Sequence, residues 1–193
     1  MTATAIQWSG PLLVLGALLL GLGTVAAAMR PTVQSMLSPE VATILMLAAA
    51  FLVPSLPGMY AAQADAAGAV GLAGYALLQV GLLLIVVVSA APLLYPTMTG
   101  PFANHPLTGG LGIALFLGLL LTSIATLQAG VYPRPAALLL VAGTAGFFFG
   151  FFVSEFLPPG PAQVANAVLG VLAPAGLAWC GTALWIGALS ASR

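Results

Sequence analysis

Three side chains in this sequence combine acidic and imidazole chemistry: Glu40, His105 and Glu155. Two carboxylates and one imidazole can bind a divalent metal ion, provided that the fold brings them together. The sequence therefore predicts a candidate metal, proton or substrate site. The alternative interpretation is that these groups anchor helix ends at a membrane surface, or that Glu155 pairs with Arg30.

A second set of polar side chains lies inside apolar runs and consists of Gln79, Thr122, Ser123 and Thr144. Serine and threonine can bond the carbonyl of their own preceding turn, so they are inexpensive to bury. Gln79 has no such bond within its own helix, and we expect it to bond across to another helix. The set indicates either a polar path or ligand pocket, or ordinary buried packing. It is too small to line a conductive pore.

The elements that carry these side chains are predicted to be membrane helices. The chain is 62% hydrophobic and 3% charged, whereas a soluble domain carries about 25% charged residues. A helix needs about 20 apolar residues to cross a hydrocarbon core of about 30 Å. Six stretches meet this condition, so we predict an all-α polytopic membrane bundle that forms a single integral membrane domain over 1–193. The predicted transmembrane helices are about 11–29, 40–61, 69–92, 109–130, 136–157 and 163–189.

Six spans would place both termini on one side of the membrane. The first span is predicted to be an uncleaved helix rather than a signal peptide, because neither Lys nor Arg precedes it. The terminal side then holds Arg134, Arg193 and Asp65, and the other side holds Arg30, Glu40, His105 and Glu155. Two basic residues against one predict cytoplasmic termini for a multipass protein of the plasma membrane.

The sequence also contains signals for the start of a helix and for breaks within helices. Ser38-Pro39-Glu40 is typical of a helix start, and the segment from Gln63 to Gly68 predicts a short polar turn. Prolines inside the spans predict kinks, because each removes the amide donor for a carbonyl four residues earlier. These kinks are either static packing features or hinges of a transporter. The prolines are Pro54, Pro57 and Pro174, and the carbonyls that they free belong to Ala50, Val53 and Gly170.

Composition excludes several classes of function. Three Lys and Arg residues in 193 leave no basic patch, so we expect no nucleic-acid partner. One histidine excludes bis-histidine haem ligation within the chain, and the single Cys180 excludes an intrachain disulfide. The sequence contains no HExxH, GxSxG or P-loop motif. No cofactor is predicted, and an enzyme is the least favoured class.

Two segments resemble a known group. Residues 57–75 (PGMYAAQADAAGAVGLAGY) and 128–140 (QAGVYPRPAALLL) are similar to segments of a loose group of small, uncharacterised multipass membrane proteins common in high-GC bacteria. The resemblance implies a helical bundle with cytoplasmic termini and carries over no catalytic residues. Ala62 stands where the group commonly has Arg, which leaves the predicted orientation dependent on Arg134.

The functional prediction has three alternatives. The first is a small non-enzymatic integral membrane protein that packs in the lipid bilayer as a homo-oligomer or as a subunit of a larger membrane assembly, because glycine-rich helix faces favour close packing. The second is a small transporter or binder of a neutral or lipid-like ligand. The third is a membrane enzyme or metal site that uses Glu40, His105 and Glu155.

Overall fold

The computed structural model of the chain describes residues 3–29, 38–94, 106–153, 156 and 158–187. All regular structure within these residues is helical. Four of the five helices, α1, α2, α3 and α5, are long and apolar enough to cross a membrane. The helices are α1 (Ala3–Ala28), α2 (Pro39–Leu94), α3 (Pro106–Ala129), α4 (Arg134–Val153) and α5 (Pro159–Trp185).

Helix α2 is a hairpin rather than a straight rod. Its 56 residues would extend about 84 Å if straight, at about 1.5 Å per residue. The backbone leaves helical geometry at Gly68, where φ is 56° and ψ is −154°, a conformation that essentially only glycine adopts. Beyond Gly68 the chain doubles back, since the rings of Tyr60 and Tyr75 stack with centroids 5.1 Å apart. We call residues 39–67 the first arm and residues 69–94 the second arm.

The predicted polar turn from Gln63 to Gly68 is therefore wrong in extent. Residues 63–67 are helical, and Gln63 is buried while Asp65 is exposed. Alanines fill most of this stretch and favour helix. The reversal needs one glycine and no loop, so two predicted helices meet directly.

Six helical rods pack side by side: α1, the two arms of α2, α3, α4 and α5. Each rod runs antiparallel to its neighbours, and α5 returns to pack against α1, so the rods form a closed ring. Among neighbouring separate helices of the ring, α3 and α4 have the least extensive contact. Contacts that define the neighbours are Gly16 with Leu52, Gln79 with Val53, Gly81 with Leu115, Ser123 with Thr144, Gly143 with Ala173, and Gly181 with Gly10.

The start of α2 agrees with the sequence prediction in position. The helix begins at Pro39, and the amide of Ala42 donates to the Ser38 carbonyl at 2.9 Å. The Ser38 side chain does not act as the cap, because its Oγ is buried without a hydrogen-bond partner. Within α2 only Gly68 has non-helical φ and ψ, so the backbone stays helical through Pro54 and Pro57.

Candidate functional site

The predicted acidic and imidazole set is described in part. Glu40 lies exposed in the first turn of α2. His105, Glu155 and Arg30 lie outside the described residues, so a metal or proton site built from them stays a prediction. Among the residues that the structure describes, no three His, Cys, Asp or Glu side chains are grouped so that they could hold a metal ion.

Gln79 joins the two arms of α2. Its Nε2 donates to the Val53 carbonyl at 2.9 Å and to the Tyr75 hydroxyl at 3.3 Å. Pro57 has no amide hydrogen, so the Val53 carbonyl lacks its ordinary helical donor, and Gln79 supplies one. The predicted cross-helix bond of Gln79 is confirmed, although its partner belongs to the other arm of the same hairpin.

A second carbonyl freed by proline is also bonded by a side chain from another rod. Pro174 leaves the Gly170 carbonyl without its helical donor, and Thr24 Oγ1 on α1 lies 3.3 Å from that oxygen. At both sites a side chain from a neighbouring rod replaces the missing backbone donor. Pro57 and Pro174 therefore both lie in packed contacts between rods, and the side-chain bond that replaces the missing donor is the shorter one at Pro57.

The remaining predicted polar residues separate into two places. The hydroxyls of Ser123 on α3 and Thr144 on α4 lie 3.2 Å apart and are buried, and Thr144 also donates to the Leu140 carbonyl. Thr122 faces the second arm instead, where Gly74 packs against its backbone. The four residues Gln79, Thr122, Ser123 and Thr144 do not form one polar path.

A small pocket lies between the hairpin and α3. It has a volume of about 10 Å³, and its wall includes Tyr60, Gln63, Tyr75 and Thr122. Gln63 Oε1 and Thr122 Oγ1 are both buried without hydrogen-bond partners. This volume is close to the minimum that holds one water molecule. The sequence pattern places Gln63 in a turn, and only the helical backbone of the structure shows that its side chain faces inward.

An apolar cavity with a volume of about 250 Å³ lies between the rods of the ring. All six rods contribute to its wall, and Thr24 is the one polar side chain among the described residues that line it. We call it the central cavity. Its leucine and isoleucine wall is formed by Leu20, Leu45, Leu52, Leu56, Leu78, Leu82, Ile85, Leu111, Leu115, Leu119 and Leu177.

The central cavity lies in one half of the bundle. It touches the second half of α1 at Leu20 and the first half of α3 at Leu111, and it reaches α5 at Gly170. None of Gln79, Thr122, Ser123 or Thr144 lines it. No sequence signal marks such a cavity, because its wall residues are the same leucines, glycines and alanines that pack tightly elsewhere.

A buried tyrosine lies in the opposite half of the bundle. Tyr132 lies in the connection between α3 and α4, exposes 3% of its surface and donates its hydroxyl hydrogen to the Met59 carbonyl at 2.9 Å. Burial raises the pKa of the Tyr132 hydroxyl well above its ordinary value of 10.0. The group therefore stays neutral and remains a hydrogen-bond donor at neutral pH.

Comparison of the chain with protein-family models, curated proteins and solved structures finds no match.

Proposed function

We propose that this chain is a multipass membrane protein whose six rods each cross the bilayer, and that it binds a small neutral, lipid-like molecule in the central cavity. Each rod is long enough to span. The shortest, α4, has 20 residues, which corresponds to about 30 Å of helix.

The outward surface supports bilayer insertion of the whole ring. Large apolar side chains point outward along α1, both arms of α2, α3, α4 and α5. Examples with more than a third of their surface exposed are Leu18, Leu47, Leu83, Ile113, Leu138 and Val168. In water such a surface would be costly, whereas lipid chains solvate it.

The single observation that carries the binding proposal is the central cavity. Elsewhere the ring packs so closely that a Cβ added at Gly10, Gly74 or Gly181 would collide with the neighbouring helix. An unfilled apolar cavity costs about 24 cal/mol per Å³, so 250 Å³ corresponds to about 6 kcal/mol. A bundle packed this closely gains most of that energy back if an apolar molecule fills the space.

The wall chemistry defines the ligand class. The described residues of the cavity wall offer one hydroxyl, from Thr24, and otherwise hydrocarbon. A charged or strongly polar ligand would lose its hydrogen bonds to water without replacement. An apolar cavity of about 150 Å³ holds benzene, so about 250 Å³ holds roughly ten carbon atoms. The proposed ligand is therefore a short hydrocarbon or the chain segment of a neutral lipid.

The proposal is tested by photolabelling in proteoliposomes. A straight-chain alkyl diazirine forms a carbene on illumination and inserts into whatever it contacts, and peptide mass spectrometry locates the adducts. We expect adducts on inward-facing residues such as Leu82 and Leu52, reduced by excess decanol. Labelling confined to outward residues such as Leu83 would contradict the proposal.

A role as a subunit of a larger membrane assembly stays a separate prediction. The glycine-rich faces behind this prediction pack within the chain where the structure describes their contacts: Gly71 and Gly74 contact α3, and Gly146 contacts α5. An assembly role would need other surfaces, and native mass spectrometry of the protein extracted in mild detergent tests it.

A further inference from the structure

The contact between α1 and α5, which we call the α1–α5 seam, is tight at one end and looser at the other. A Cβ added at Gly10 would lie 2.6 Å from the Gly181 carbonyl oxygen, and one added at Gly181 would lie 2.8 Å from that of Gly10. Toward the central cavity, an added Cβ at Gly21 would lie 3.4 Å from Pro174, and one at Gly170 would lie 3.5 Å from Thr24. The latter two are ordinary contact distances, so this end of the seam has room for further atoms.

An apolar groove of about 390 Å³ runs along the outer side of the seam. Gly21, Val25, Val171 and Ala175 contribute to it, and Leu18 beside it exposes 61% of its surface. The groove and the central cavity share one wall residue, Pro174. Pro174 therefore borders both spaces, and the Thr24–Gly170 contact lies beside it on the cavity wall.

That contact is weak by its geometry. Thr24 has one hydroxyl hydrogen and two acceptors in reach, the Gly21 carbonyl at 2.9 Å in its own helix and the Gly170 carbonyl at 3.3 Å across the seam. If α1 and α5 separate, the Thr24 hydroxyl keeps its shorter hydrogen bond to the Gly21 carbonyl. Only the longer bond to the Gly170 carbonyl is lost. The absence of an amide hydrogen on Pro174 leaves that carbonyl without a helical donor to hold it in place.

We propose that the α1–α5 seam is the lateral portal through which the apolar ligand passes between the bilayer and the central cavity. This inference rests on the proposed binding function. The occupant in transit is a hydrocarbon chain, because both the groove and the cavity present hydrocarbon walls. Pro174 and the Thr24–Gly170 contact form the closed position of the portal.

The test measures how fast the same alkyl diazirine reaches the cavity. The probe is mixed with proteoliposomes, a flash is given after a variable delay, and adducts on cavity residues are counted by mass spectrometry. Gly21→Leu fills the outer groove without adding an atom to the cavity wall, because Gly21 lines only the groove. We expect uptake to slow at least tenfold, with the final amount of label unchanged.

Gly112→Leu is the matched control, since nothing lies within 4 Å of a Cβ added at Gly112 on α3. It should leave the uptake rate as in the wild type. A second variant works in the opposite direction: Thr24→Val removes the bond to Gly170 and should speed uptake. It also keeps the proposal testable if Gly21→Leu does not fold.

The outcomes separate the portal from the binding site. Equal uptake rates in wild type, Gly21→Leu and Thr24→Val, with normal final labelling, would overturn the portal and leave the binding proposal intact. Absence of cavity adducts in the wild type at every delay would overturn the binding proposal itself.

Discussion

Replacing Leu82 with phenylalanine places additional carbon atoms in the central cavity without adding a polar group. Leu82 exposes 2% of its surface and lines the cavity from the second arm of α2. A Cβ added at a glycine of a neighbouring rod would press against Leu52 or Leu115. Leu82 is not among the nearest atoms to an added Cβ at any glycine that the structure describes. The larger ring can therefore turn toward the open space.

The expected gain in stability follows from the cavity volume. At about 24 cal/mol per Å³, the 250 Å³ correspond to about 0.6 kcal/mol for each of the roughly ten carbon atoms that fit. Phenylalanine has three more carbon atoms than leucine, so the ligand-free protein should gain up to about 2 kcal/mol. The same displacement should weaken binding of a cavity-filling ligand by roughly 30-fold, since about 1.4 kcal/mol is tenfold.

Two measurements on the delipidated protein check these values. Denaturant unfolding in mild detergent gives the change in the free energy of unfolding, and decanol competition against diazirine labelling gives the change in affinity. Leu83→Phe is the matched control, because the neighbouring Leu83 exposes 53% of its surface. It receives the same substitution on the outward-facing side and should change neither quantity appreciably.

A loss of stability caused by overpacking would contradict this prediction. If Leu82→Phe lowers stability by about 1–3 kcal/mol, as insertion into a filled core does, the space is not available to an added side chain. Unchanged labelling of cavity residues in a stable Leu82→Phe protein would equally contradict the assignment of the ligand to this site.

Three further predictions concern the polar contacts. Gln79→Leu should destabilise the protein by about 0.5–1.5 kcal/mol. The loss should be smaller in a Pro57→Ala background, because the restored amide of residue 57 can bond the Val53 carbonyl. A double-mutant cycle measures the difference between the two backgrounds. Thr122→Val should leave the free energy of unfolding within about 1 kcal/mol of wild type, because Thr122 Oγ1 is buried without a partner. Above pH 10 the unfolded state loses the Tyr132 proton while the folded state keeps it, so stability should fall by up to about 1.4 kcal/mol per pH unit. Tyr132→Phe should remove this component of the pH dependence.

Each of these has a contradicting result. Equal effects of Gln79→Leu in both backgrounds would mean that the Val53 carbonyl is not the relevant partner. A loss above 2 kcal/mol for Thr122→Val would indicate a hydrogen bond to that hydroxyl. An identical pH profile for Tyr132→Phe would show that the tyrosine titrates normally.

The sequence was sufficient for the helical class and for the expectation that Gln79 bonds across to another helix. Long apolar runs require helices in lipid, because only a helix satisfies its own backbone there. Only the structure shows that Gln79 meets the Val53 carbonyl. The sequence establishes separately that a glutamine inside an apolar run needs a partner and that Pro57 frees a carbonyl. Local chemistry of this kind can be read from the chain.

The reversal at Gly68 and the central cavity could not be predicted in the same way. Polar residues near Gln63 resembled a loop, but alanines kept them helical and one glycine made the turn. The cavity depends on how the six rods stand apart in one half of the bundle. That spacing is a sum of many contacts between similar apolar side chains, and no single residue encodes it.

Under the proposed topology of six spanning rods, the turn at Gly68 also bears on how the two arms would enter a membrane. A loop between two spans normally gives the insertion machinery a hydrophilic segment to retain on one side while the next helix is synthesised. Here the two arms follow each other within 56 residues of one helical element, with no such segment between them. We therefore expect the arms to leave the translocon together as a preformed pair, and a reporter inserted at the turn to block biogenesis rather than mark a side.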